Sequence, residues 1–139
     1  MPYWRLFYHL VWATEERAPL IDEAVAAALE RSFRATCEET SVRVFAVGLM
    51  PDHVHLVVSI PPRIALADIA GRLKGASSYA AKGPDLSTRQ SHFAWQAEYG
   101  ALSFGEKALP DIVDYACNQP SRHATHALWP ALERFTESS

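Results

Sequence analysis

His53 and His55 flank Val54 inside the run Met50-Pro51-Asp52-His53-Val54-His55-Leu56-Val57-Val58. Side chains alternate across a strand, so both imidazoles would share one face with Val57 and Ser59. Val54, Leu56, Val58 and Ile60 would take the other face and enter a core. Two neutral imidazoles about 6–7 Å apart, at ~3.3 Å per residue, can bind a divalent cation together. The same pair also suits the polar outer face of an ordinary strand. Downstream, Tyr115 and Gln119 lie in Leu109-Pro110-Asp111-Ile112-Val113-Asp114-Tyr115-Ala116-Cys117-Asn118-Gln119-Pro120. Residues four apart share a helix face, which sets a phenol beside an amide oxygen. That pair reads either as a nucleophile next to a further metal ligand or as a tyrosine packing its ring.

Both pairs need rigid elements to hold them. Residues 3–13 read as an aromatic and β-branched strand with Trp4, Leu6, Tyr8, Leu10 and Trp12 on one face. Asp22 is a plausible cap for a helix to about Thr40, with Ala26, Leu29, Phe33 and Cys37 at helical spacing. Val42–Val47 is a second strand, Gly48 to Asp52 a turn, and His53–Ile60 a third strand that Pro61-Pro62 ends. A second helix spans Leu66 to about Ala81, with Ile69, Leu73 and Ala76 inward, and a polar loop follows to Ser91. Phe93–Phe104 is a fourth extended region, irregular at Gly100. Pro110 and the acidic Asp111 and Asp114 favour a third helix over Leu109 to Asn118. The order β-α-β-β-α-β plus a helix predicts an α+β, ferredoxin-like domain, one antiparallel sheet with two helices on one face.

A chain of 139 residues is read as one domain over 1–139, with about 124–139 a less regular tail. No stretch approaches the ~20 uncharged apolar residues of a membrane helix, and the opening lacks the features of a signal peptide. Cys37 and Cys117 form no CxxC or paired framework, which favours reduced thiols in the cytoplasm. The net charge of −3 lacks the basic signature usual for phosphate binding. The charges are segregated, however. Glu15, Glu16, Asp22, Glu23, Glu30 and Glu38 fall in or near the first helix, and Arg63, Arg72, Lys74, Lys82 and Arg89 lie in the middle third.

The histidine run and the tyrosine helix resemble the single-tyrosine HUH transposases. These are the TnpA-type enzymes of insertion sequences and the REP-associated tyrosine transposases. The family's name describes a histidine, a hydrophobic residue and a histidine, as in His53-Val54-His55. The resemblance extends to Tyr8-His9-Leu10-Val11-Trp12, Arg72-Leu73-Lys74-Gly75-Ala76-Ser77-Ser78, Trp95-Gln96, Tyr99-Gly100 and Asn118-Gln119, in the family's order over roughly residues 3–123. It implies the ferredoxin-like fold, with the histidine strand central and the tyrosine helix across the open face.

It further implies that His53, His55 and the Gln119 amide oxygen hold Mg²⁺ or Mn²⁺, with Zn²⁺ open on ligand type alone. Tyr115 would attack a phosphodiester of single-stranded DNA, giving a 5′-phosphotyrosine and a free 3′-hydroxyl. The substrate would be single-stranded or hairpin DNA. Family members act as homodimers, commonly with composite sites, and the strand at 3–13 is a candidate pairing edge or an ordinary buried strand. Arg72, Lys74, Ser77, Ser78 and Lys82 are candidate phosphate contacts along the second helix. Trp95, Tyr99 and Phe104 would stack on unpaired bases or pack in the core. His9, His92, His123 and His126 have no assigned metal role and read as surface or core-edge residues.

Two features depart from the family: the net acidity, and Pro120, which disfavours helical geometry at Gln119. Two rival functions stand beside the transposase, a domesticated, non-catalytic hairpin binder and a metal-dependent phosphodiesterase that uses water.

Overall fold

A computed structural model describes residues 4–83 and 92–118. Strand β1 (Phe7–Ala13) is followed by helix α1 (Glu23–Thr40), strands β2 (Arg43–Met50) and β3 (His53–Ser59), helix α2 (Leu66–Ala81), strand β4 (Gly100–Phe104) and helix α3 (Leu109–Cys117). The strands form one antiparallel sheet in the order β2-β3-β1-β4. This is the expected α+β arrangement, a β-α-β-β-α-β core with an added C-terminal helix.

Alternation along the strands divides the molecule into layers. Leu10 and Trp12 of β1 and Val54, Leu56 and Val58 of β3 pack with Val25, Leu29, Phe33 and Cys37 of α1 and Ile69, Leu73 and Ala81 of α2. On the opposite face Ala46 and Val57 meet Ile112 and Ala116 of α3. Each strand therefore presents one residue set to the two-helix layer and the alternate set to α3. A register shift between Val44 and Ala46 puts both Phe45 and Ala46 on the α3 side, and Val44 and Val47 remain in the main core.

Local signals explain the helix boundaries. The Asp22 carboxylate accepts from the Val25 amide at 2.9 Å, an N-cap typically worth ~1 kcal/mol. Ser41 closes α1 in the left-handed region at φ 62°. Helix α2 has the expected span, although Ala76 is exposed and Ala70 and Ser77 occupy the inner face instead.

One open alternative is decided and two expectations are corrected. First, of the two readings of the strand at 3–13 the ordinary buried strand holds and the pairing edge does not: β1 lies between β3 and β4, so both of its faces and both of its hydrogen-bonding sides are used within the chain. Second, Gly48 is not in a turn. It belongs to β2 and pairs with His55, while Pro51 and Asp52 alone connect β2 to β3. Third, the extended region at 93–104 forms a strand only over Gly100–Phe104. Trp95 makes a single bridge to Thr14, and its indole packs edge-on against Trp12. Among the described residues no helix is long and apolar enough to cross a membrane, and Cys37 and Cys117 are both free thiols.

Candidate active site

β3 sends His53, His55 and Val57 to the face that α3 covers. The two imidazoles are buried, with ring centroids 5.1 Å apart. Tyr115 comes down from α3, and its ring lies edge-on to His55 at 5.7 Å. The structure thus brings together three of the residues singled out in the sequence. The fourth, Gln119, lies outside the described residues.

α3 reaches the sheet because of Gly48. A Cβ built on Gly48 would lie 1.9 Å from the carbonyl oxygen of Ala116 and 2.9 Å from its carbon. Gly48 has no positive φ, so glycine is required here for space. Ala116 follows Tyr115 directly, and Gly48 pairs with His55. One close backbone contact therefore sets the height of the phenol above the histidine strand.

Each histidine has its own support. Nδ1 of His53 is 2.7 Å from Oδ1 of Asp52, whose Oδ2 accepts from Nε of Arg17 at 3.1 Å. Arg17 Nη2 also lies 3.4 Å from His53 Nδ1. Burial alone would raise the Asp52 carboxyl, but the hydrogen bonds and charges of His53 and Arg17 outweigh it and hold the group below its ordinary value. Arg17 is delivered by a short 3₁₀ turn in which Glu16 and Arg17 have φ of 56° and 54°. Consecutive left-handed, non-glycine residues cost on the order of 1–3 kcal/mol each, so the surrounding structure must impose this turn. Thr14 contributes by donating to the Ala18 carbonyl at 2.6 Å.

His55 is supported from β1. Its Nδ1 lies 2.8 Å from Nε2 of His9, which is fully buried and whose ring is also edge-on to Tyr115 at 5.7 Å. Desolvation pushes His9 down to about 4, so the ring is neutral near pH 7. The sign for stability follows: an unfolded histidine takes up a proton near its ordinary pKa of 6.5, whereas the fold refuses it until about 4. The metal-free protein should lose stability as pH falls through that window, by ~1.4 kcal/mol per unit of difference at the limit. Chemical unfolding at pH 7 and pH 4.5 checks this, and His9→Phe should flatten the dependence.

The donor chemistry fits a divalent cation. With both Nδ1 atoms engaged as above, Nε2 is the ring nitrogen left on each histidine for a cation, and both Nε2 atoms are buried on the α3 face. The described residues contain no group of three or more His, Cys, Asp or Glu placed to hold a metal. Two imidazoles leave the remaining coordination positions to an oxygen donor, water and substrate, as open catalytic sites require.

The residues proposed along α2 for DNA contact lie in the layer on the opposite side of the sheet from the histidines. Arg72 bonds Glu39 on α1 at 3.1 Å. Lys74 donates to the carbonyls of Gln96 and Glu98, tying the irregular segment to the helix. Ser77 is a correction. It is fully buried, donates to the Lys74 carbonyl and accepts from the Trp95 indole at 2.9 Å, so it serves packing and cannot face a phosphate. Ser78 is half-buried and Lys82 exposed. Trp95 and Tyr99 pack against the main core and Phe104 stacks on Phe7, which favours packing over base stacking for these rings.

Sequence reasoning missed His9 and Arg17. For His9 a signal existed, because period-two alternation places it opposite Tyr8 and Leu10. For Arg17 there was none, since its role depends on an unfavourable backbone conformation.

The family model for IS200-like transposases matches residues 2–119. The chain belongs to the IS200-like transposase family. The ISDra2 transposase TnpA of Deinococcus radiodurans is 36% identical over 120 residues, covering 84% of this chain and 85% of that protein. The transposase of insertion sequence element IS200 from Salmonella typhimurium is 32% identical over 75 residues, covering 54% of this chain and 49% of that one. A crystal structure of a candidate transposase from Deinococcus radiodurans R1 superposes with a TM-score of 0.64 at 28% identity, covering 83% of this chain and 92% of that one. A REP-associated tyrosine transposase bound to a REP hairpin shares the fold, with a TM-score of 0.64 at 16% identity over 88% of this chain and 74% of that one.

Proposed function

We propose that this transposase cuts and rejoins single-stranded DNA through a covalent 5′-phosphotyrosine on Tyr115, at a divalent metal, Mg²⁺ or Mn²⁺, held by His53, His55 and Gln119. The observation that carries the reading is the seating of the Tyr115 ring against His55, 5.7 Å between centroids, beside the second histidine of the same strand. The bound cation would polarise the scissile phosphate and offset developing negative charge. The protein's part is positioning. α3 holds the phenol over the histidine strand, Asp52 and Arg17 orient His53, and the packed faces of α3 and the sheet restrict water around the phenol. The Tyr115 oxygen releases its proton to solvent and forms a bond to phosphorus. The bond from phosphorus to the 3′ oxygen breaks, and that oxygen takes up a proton from solvent and leaves as a 3′-hydroxyl. The reverse step rejoins DNA without ATP, because the phosphotyrosine conserves the phosphodiester energy.

The DNA partner in this reading carries a hairpin. Support comes from the fold shared with the hairpin-bound REP-associated transposase. Arg72 and Lys82, with Ser78 at the margin, remain the exposed or half-exposed phosphate contacts of α2, and Lys74 would contribute only charge beyond its two carbonyl bonds. A homodimer fits the same geometry, since exchange of α3 between two copies would set the Tyr115 of one on the histidines of the other through the same surface.

The test is cleavage of labelled single-stranded DNA carrying the hairpin end of the neighbouring element, with Mn²⁺, with Mg²⁺ and with a chelator. Metal-dependent cleavage that leaves label covalently on the protein is expected. Hydrolysis without covalent label would indicate water as the nucleophile, and binding without cleavage under either metal would indicate a hairpin-binding protein.

A further inference from the structure

Among the described residues, His9 is the one buried histidine in contact with both halves of the site that the proposed chemistry leaves without a task. It sits on β1 opposite Val57, one diagonal step from His55 on the same face of the sheet. Its Nε2 is 2.8 Å from Nδ1 of His55, and both rings are fully buried. A hydrogen bond between two neutral imidazoles contains one proton, and its position has consequences at the far side of each ring. If His9 donates, His55 keeps its own proton on Nε2 and has no lone pair to offer there. If His55 donates from Nδ1, its Nε2 lone pair is directed away from His9 and is available for coordination.

We propose that His9 is a positioning residue for the metal ligand His55: its Nε2 accepts the Nδ1 proton of His55 and thereby fixes the tautomer in which His55 coordinates through Nε2. The inference rests on the metal-assisted reading above and adds a role to a residue outside the ligand set. It also makes the two ligands unequal. His53 is oriented by an ionised carboxylate that can only accept, itself held by Arg17. His55 is oriented by a neutral ring that can accept or donate, so its tautomer depends on the protonation pattern of His9. Because the His9 ring also meets Tyr115 edge-on, the same side chain sets the floor beneath the nucleophile.

The first test uses the metal-free wild-type protein labelled with ¹⁵N-histidine, read by long-range ¹H–¹⁵N correlation at neutral pH. His55 and His9 should both be protonated at Nδ1 and bare at Nε2. A proton on Nε2 of His55 would overturn the proposal. The second test is Mn²⁺ affinity, by calorimetry and by the loss of free-ion paramagnetic resonance signal. His9→Phe keeps an aromatic ring but removes the acceptor, and should weaken Mn²⁺ binding ~10–100-fold, the range for partners behind a metal ligand. His9→Gln, whose amide oxygen can accept from Nδ1 of His55, should recover most of the affinity. Unchanged affinity in His9→Phe, or equal loss in both variants at wild-type melting temperature, would overturn the role assigned to His9. A wild-type protein that binds no Mn²⁺ would instead overturn the metal-assisted reading, and the tautomer measurement would still decide the arrangement of the two rings.

Discussion

Gly48→Ala is expected to lift the tyrosine helix from the sheet and reduce DNA strand transfer at least ~100-fold, with the two-helix layer still folded. The added methyl would meet the Ala116 carbonyl at 1.9 Å, and a backbone atom cannot move aside by changing rotamer. Either β2 or α3 must shift. β2 is hydrogen-bonded to β3 along its length and joined to the main core through Val44, Val47 and Leu49, whereas α3 is anchored by a smaller set, Ile112 and Ala116 on Ala46 and Val57. The helix should therefore yield, taking Tyr115 with it. A displacement near 1 Å at a reacting group is enough for a loss of that order. Hydrogen exchange checks the structural half, with faster exchange over Leu109–Cys117 and unchanged protection in α1 and β3. Wild-type protection of α3 together with wild-type strand transfer would contradict this role for Gly48.

The second large effect concerns the histidines. His53→Ala and His55→Ala each remove one of two described imidazole donors, and each should abolish detectable Mn²⁺ binding and cut strand cleavage by about 10³-fold or more, as expected when several kcal/mol of charge stabilisation are withdrawn. Chelating the metal from the wild type should reproduce the loss. Asp52→Asn should fall in between. It keeps the shape of the Asp52 side chain but removes the charge that holds His53 and Arg17, a change behind the ligand worth ~10–100-fold. Circular dichroism would confirm that the sheet persists, because Val54, Leu56 and Val58 hold β3 in the core from the opposite face. Full cleavage by either alanine variant in the presence of chelator would contradict metal assistance.

Much of this arrangement was legible in the sequence where the signal is local. Asp22 caps α1 as its position suggested, α2 spans Leu66–Ala81, and the alternation of β3 assigns Val54, Leu56 and Val58 to the main core and His53 and His55 to the other face. The features that were not legible depend on contacts between distant segments. An aromatic strand such as β1 has the same composition at an edge or in the middle of a sheet, and only its pairing with both β3 and β4 decides. Gly48 resembles a turn glycine until α3 crosses it. Arg17 reaches Asp52 through two left-handed residues that no propensity would favour. Ser77 is different, since the information was present. It lies four residues after Leu73 and eight after Ile69, on the buried stripe of α2, and a polar side chain there signals an internal hydrogen bond more than a surface contact.

The central claim is that Tyr115 is the nucleophile, and locating the covalent bond tests it most directly. Cleavage after lysine and arginine releases residues 108–122, in which Tyr115 is the only tyrosine. The protein would be incubated with the single-stranded hairpin substrate and Mn²⁺, digested with trypsin and nuclease, and sequenced by mass spectrometry. A 5′-phosphodeoxynucleotide on Tyr115, absent from Tyr115→Phe, is the predicted result. A nucleotide on any other residue, or an adduct that persists in Tyr115→Phe, would contradict the account.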